Sequence, residues 1–146
     1  MPSPGLLKVW DVGSGNSAIT ETRLGLENAS ALAFLGGPGL LIAHETGGSF
    51  AFVDPGSGKL TRQQYTKDVV AAACGVSSGQ SSDFFAGVGS NLIRYETRLA
   101  GAETKGHAVG MWTLPAKVTS LDAMSKGRTL VAAGLQDGKV AVFDAD

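Results

Sequence analysis

Residues able to do chemistry are few in this chain, and their spacing does not favour it. Two histidines, His44 and His107, and one cysteine, Cys74, are its whole supply of imidazole and thiol. No two of them share the short spacing that a zinc site uses, so no metal or cofactor site is expected. Cys74 sits in a run of small apolar residues, Val69-Val70-Ala71-Ala72-Ala73-Cys74, and reads as an inert core thiol. At His44-Glu45 a carboxylate adjoins an imidazole, an arrangement that can orient a general base. The same pair equally fits the polar end of a strand beside a turn. Gly56-Ser57-Gly58-Lys59 has the look of a phosphate-binding loop, but Leu60 stands where a Ser or Thr must follow the lysine. Gly87-Val88-Gly89 lacks the third glycine of a dinucleotide fingerprint. Catalytic and cofactor-binding residues are therefore expected to be absent.

The elements that carry these residues are short. With 43% hydrophobic residues, the 146-residue chain can bury a core. Twelve basic residues against 13 acidic ones leave a net charge of -1, which argues against nucleic acid as the partner. No apolar run is long enough for a membrane span, and the N-terminus lacks the basic and apolar regions of a signal peptide. With one cysteine and no disulfide to form, an intracellular setting, cytoplasmic or nuclear, is expected.

Four apolar stretches end in an acid: Leu6-Leu7-Lys8-Val9-Trp10-Asp11, Phe50-Ala51-Phe52-Val53-Asp54, Leu92-Ile93-Arg94-Tyr95-Glu96 and Val140-Ala141-Val142-Phe143-Asp144. Their acids lie 43, 42 and 48 residues apart. A glycine turn precedes three of them, at Gly47-Gly48-Ser49, Gly89-Ser90-Asn91 and Asp137-Gly138. Asp11-Val12-Gly13-Ser14-Gly15 returns as Asp54-Pro55-Gly56-Ser57-Gly58, one backbone turn used twice. Two further apolar runs precede each of the last three acids, split by turn signals at 36–39, 77–80 and 125–128. Four strand-length runs per period, with turns every 8–12 residues, predict an all-β chain.

This pattern resembles the WD40-repeat family, over roughly Leu6 to Asp144. The resemblance rests on the period, the glycine turn before the third strand, the Trp10-Asp11 ending, and the run from Gln136-Asp137-Gly138 to Phe143-Asp144. The other repeats read Val53-Asp54, Tyr95-Glu96 and Phe143-Asp144 where the family has Trp-Asp. It implies an arc of a β-propeller built from four-stranded antiparallel blades. Residues 6–24 would be the third and fourth strands of one blade, 29–66 a second blade, 69–115 a third, and 118–144 the first three strands of a fourth.

About thirteen strands fall short of a ring, since even the smallest propeller needs about sixteen. The chain is therefore expected to be a piece of a longer protein, to be completed by another chain, or to close on a second copy of itself. Stability as an isolated monomer is not expected. The resemblance implies a non-catalytic protein-interaction scaffold, with an enzyme or ligand site in the channel as the rival and a self-associating structural fragment as a third reading. Only Asp122, His44 and Glu45 suit that rival. The connection from Thr97 to Lys117 is the longest and carries Met111-Trp112, a candidate partner-binding pair, and His44 and Glu45 are candidates for partner binding as well. Against that stands the reading that Trp112 packs on the outer strand of its own blade.

Overall fold

The computed structural model describes residues 6–10, 13, 18–23, 29–34, 41–45, 49–54, 59–64, 70–78, 81–100 and 103–146. These residues form four antiparallel sheets in chain order. The first pairs β1 (Leu6–Trp10) with β2 (Ala18–Arg23). The second runs β3 (Ala29–Phe34), β4 (Leu41–Glu45), β5 (Ser49–Val53), β6 (Leu60–Gln64). The third runs β7 (Val70–Ser78), β8 (Ser81–Val88), β9 (Asn91–Ala100), β10 (Glu103–Thr113). The fourth holds β11 (Val118–Ser125), β12 (Thr129–Leu135) and β13 (Val140–Asp144). The chain is thus all-β, with thirteen described strands in an arc of propeller-like blades that does not close on itself.

Sheets of short strands cannot bury both faces alone, so they stack. β3 packs beside β7, and β7 beside β11, so the first strands of the last three sheets lie side by side. All three carry a bulge at the same point, between Ala29 and Ala31, Val70 and Ala72, and Val118 and Ser120. An extra residue there bends the strand and increases its twist.

The turns follow glycine chemistry. Gly89, Gly127 and Gly138 have φ of 59°, 80° and 84°, a region that costs other residues a Cβ clash. At the last turn, Asp137 Oδ1 accepts the Lys139 N–H at 3.1 Å. Asp11, the glycine turns at 14–15, 36–39, 47–48 and 56–58, and the side chains of His44, Glu45 and His107 lie outside the described residues.

Two expectations need correction. The segment from Thr97 to Lys117 is mostly ladder rather than connection, because β9 and β10 pair from Asn91↔Thr113 to Ala100↔Glu103. Main-chain pairing does not need apolar side chains, so the polar residues of this segment do not prevent a ladder. A bulge at Val109, between Ala108 and Gly110, resets the ladder. Likewise Ser77 and Ser78, expected in a turn, extend β7 opposite Ser82 and Ser81.

Candidate functional site

The ladders place side chains in equivalent rows. Phe50 and Phe52 of β5, Leu92 and Arg94 of β9, and Val140 and Val142 of β13 hold the same register against their second strands. Leu7 and Val9 occupy these places on β1 by the alignment of the acids. This row faces the next sheet. Phe50 and Phe52 pack with Val70, Phe84, Ala86, Val88 and Tyr95. Leu92 packs with Phe85, Val131 and Ala145. In the fourth sheet the same row is bare, with Val140 68% and Val142 67% exposed. Met124 is exposed beside them, and Asp122, Met124, Leu130, Ala132 and Val142 line a shallow depression of about 180 Å³. This uncovered apolar face is the candidate interaction surface.

Arg94 sits where the second sheet has Phe52, and it ties the third sheet to the fourth. Its Nε donates to Asp83 Oδ2 at 2.8 Å, and its Nη2 lies 2.6 Å from the same oxygen. Nη1 donates to the Ala145 carbonyl at 2.8 Å and lies 3.7 Å from Asp146 Oδ1. The guanidinium also stands 5.7 Å from the centre of the Phe85 ring, within reach of a cation–π attraction. Asp83 is buried, and its Oδ1 has no hydrogen-bond partner among the described residues. The Thr129 N–H donates to Asp146 Oδ2 at 2.7 Å, and the Ala145 N–H to the Thr129 carbonyl at 2.9 Å. Hydrogen bonding to Thr129 holds the Asp146 carboxyl below its ordinary pKa, with Arg94 contributing less.

Sequence reasoning missed this clasp. The cue was a lone arginine in a row otherwise filled by Leu, Val and Phe, but its partners lie 11 and 51 residues away.

The candidate pair on β10 divides. Trp112 is half-buried, 6.2 Å from Phe85 and 5.5 Å from Phe143 between ring centres, at the seam of the third and fourth sheets. Its neighbour Met111 is 64% exposed. His44 and Glu45 lie on β4, while Asp122 lies on β11, so the third sheet stands between them. Asp122 is exposed, and its Oδ1 accepts the N–H of Ala123. Cys74 is buried at the same seam, and burial, with Asp122 adding to it, raises its thiol pKa to about 12. A thiol so protonated is a poor nucleophile.

Among the repeat-ending residues, Tyr95 packs against Phe50 and Phe84 of its own seam, and burial raises its phenol pKa. Phe143 packs on the cluster around Phe85. Val53 is buried, whereas Trp10 is exposed. The acids Asp54 and Asp144 are exposed and Glu96 half-buried. Asp144 Oδ1 accepts the Asp146 N–H. Among the described residues no group of three His, Cys, Asp or Glu is placed to hold a metal ion, and no helix is long and apolar enough to cross a membrane.

Solved structures share this architecture. The chain superposes on a chain of BBS1N crystallised with ARL6DN at a TM-score of 0.64 and 15% identity, covering 84% of this chain and 38% of that one. A chain of the mitotic checkpoint complex matches at 0.67 and 13% identity, over 96% of this chain and 43% of the other. Saccharomyces cerevisiae Sqt1 matches at 0.65 and 14% identity, over 97% and 39%. All are propeller-like folds, so the sheets described above are blades of a WD40-like β-propeller arc. This chain spans about two fifths of the length of these solved chains. No family model matches the sequence, and no curated protein matches it.

Proposed function

We propose that the chain is a non-catalytic protein-interaction scaffold: a divergent WD40-repeat propeller segment that works within a larger complex, its ring completed by strands from outside it. One observation carries the reading. Val140 and Val142 are bare at places that the next blade covers at Phe50, Phe52 and Leu92. An apolar face of this kind marks an interaction site. The mechanism is rigid display, in which packed blades hold edges and loops in place for a partner. Met111, exposed on β10 beside the anchored Trp112, belongs to that displayed surface, and His44 and Glu45 belong to the second blade's contribution. The blades are residues 6–24, 29–66, 69–115 and 118–144, and the setting is intracellular, cytoplasmic or nuclear. Two of the solved neighbours were crystallised in complexes, which supports a role in assembly.

The test is association. Light scattering on the full chain is expected to show concentration-dependent assembly that the double variant Val140→Asp/Val142→Asp abolishes while circular dichroism stays unchanged. A monomer that binds no hydrophobic dye, with the variant behaving identically, would sink the proposal.

A further inference from the structure

The last ladder of the fourth sheet is interrupted in an informative way. β13 stops at Asp144, and Ala145 and Asp146 follow outside the strand, yet Ala145 is buried with Phe85, Leu92 and Val131. By register the pair after Leu130↔Asp144 would be Thr129 with Ala145, as Ser82 pairs with Thr97 after Asp83↔Glu96 in the third sheet. Half of that pair is made, because the Ala145 N–H donates to the Thr129 carbonyl at 2.9 Å. Residues opposed in this way in an antiparallel ladder exchange both bonds. Here the second bond is replaced. The Thr129 N–H donates to Asp146 Oδ2 at 2.7 Å, and the Ala145 carbonyl accepts from Arg94 Nη1 at 2.8 Å. A side-chain carboxylate stands in for a main-chain carbonyl, and an arginine of the preceding sheet holds that carbonyl away.

This arrangement leaves one group wanting. Nε and Nη2 of Arg94 both meet Asp83 Oδ2, while Oδ1 of that carboxylate, whose side chain is 9% exposed, has no partner among the described residues. A buried acceptor without a donor is costly. A guanidinium released from Ala145 can turn its fork to both carboxylate oxygens. Two arrangements therefore compete, and each satisfies a group that the other does not.

We propose that residues 144–146 form a strap that switches between these two arrangements. Closed, Arg94 holds the Ala145 carbonyl and Asp146 caps the Thr129 N–H. Open, the Ala145 carbonyl returns to Thr129, β13 runs on as β9 does beyond Glu96, and Arg94 pairs with Asp83 alone. Charge sets the balance. Asp146 faces Arg94 of β9, and its N–H bonds to Asp144 of β13, whose carboxylate lies 3.6 Å from Arg128. Asp83 of β8 and Glu96 of β9 are opposed in register, with His107 next on β10. The bonds to Thr129, and then Arg94, hold the Asp146 carboxyl below its ordinary pKa. A carboxyl lowered in this way stabilises the closed strap above its ordinary pKa, and that contribution fades as pH falls through the lowered value. Acid therefore opens the strap.

Couplings through hydrogen bonds, measured by NMR on the isotope-labelled full chain, identify the acceptor of the Thr129 amide. At neutral pH the coupling is expected to the side-chain carboxylate carbon of Asp146. On acidification it is expected to vanish and to reappear at the Ala145 carbonyl carbon, while the couplings between β8 and β9 persist. Asp146 is exposed, so its substitution leaves the fold intact. Asp146→Ala is expected to show the Ala145 coupling already at neutral pH. Asp146→Asn keeps an oxygen for the Thr129 N–H but cannot titrate, and is expected to stay closed over the same pH range. The Thr129 amide proton shift gives a second reading: it should titrate with a midpoint below the ordinary carboxylate value, and stay flat in Asp146→Asn. The proposal is overturned by a Thr129 amide that simply loses its partner in Asp146→Ala, or by an Asp146→Asn strap that opens with acid as the unaltered chain does.

Discussion

The third and fourth sheets are built on one register and live in different surroundings. In β8 every residue from Asp83 to Val88 is buried, because a blade lies on each side. Phe84, Ala86 and Val88 face the second sheet, and Phe85 faces the fourth. In β12 burial alternates: Thr129, Val131, Ala133 and Leu135 are covered, and Leu130, Ala132 and Gly134 only half so. From Phe84 to Val88 and from Leu130 to Leu135 both strands are apolar, so hydrophobicity alone does not separate them. The difference lies in what stands next to each sheet, which is why a stacked fold carries its interfaces in its ends.

The comparison breaks most visibly at Phe84. Its ring meets Phe50 edge-on at 4.9 Å, Phe52 at 6.0 Å and Tyr95 in a stack at 5.1 Å between centres. Phe84→Ala is expected to cost about 3–5 kcal/mol in urea unfolding, because a seam closed from both sides leaves a cavity that cannot collapse. Its register counterpart in the fourth sheet is Val131, also fully buried but smaller. Val131→Ala is expected to cost about 2 kcal/mol less. Equal losses would mean that the second seam is packed no better than the last.

Next in size is the clasp. Arg94→Ala leaves the Asp83 carboxylate buried and without its cation, an effect of about 2–3 kcal/mol once the partial exposure of the arginine is allowed for. Arg94→Lys keeps the charge but loses the fork that spans Asp83 and the Ala145 carbonyl, and should recover only part of that loss. Hydrogen exchange reads the location. The amides of Thr129 and Ala145, which bond across this end of the fourth sheet, are expected to lose protection before those of β8.

Much of this architecture was legible in the residues, and the limit has a physical form. Strand pairing is local information: the acids at 54 and 144 close third strands, Glu96 lies within one that runs on to Ala100, and Gly89 and Gly138 make the turns before two of them. Alternation within a strand also tells which residues share a face. It does not tell whether anything lies on that face. Val140-Ala141-Val142-Phe143 and Phe50-Ala51-Phe52-Val53 read alike, yet Phe52 is buried and Val142 is bare. Alternation parts Met111 from Trp112, neighbours in a strand, but did not show that the indole is the one turned into the seam. The clasp was illegible because Arg94 meets a backbone carbonyl, and a carbonyl leaves no trace in residue type.

The smallest effect sharpens the comparison at one pair of glycines. Gly87 and Gly134 hold the same register in β8 and β12, opposite Ala72 and Ser120 of the adjoining strands. A Cβ on Gly87 would lie 2.6 Å from Val118 Cγ1 and 2.8 Å from its Cβ, atoms of a fully buried side chain in the next blade. Val118 is β-branched and rooted in the bulged start of β11, so it has no rotamer to retreat into. Gly87→Ala is therefore expected to cost about 1–3 kcal/mol and to push the third and fourth sheets apart. A Cβ on Gly134 would instead meet Ser120 Oγ within its own sheet. Ser120 is exposed, so its hydroxyl can rotate into solvent, and Gly134→Ala should cost less than about 1 kcal/mol or stabilise slightly by stiffening the unfolded chain. Thermal unfolding of the two variants side by side checks the contrast. If a further blade does cover the fourth sheet in an assembled complex, the tolerance at Gly134 should vanish there, because the added methyl group would then stand in a seam as tight as the one at Gly87.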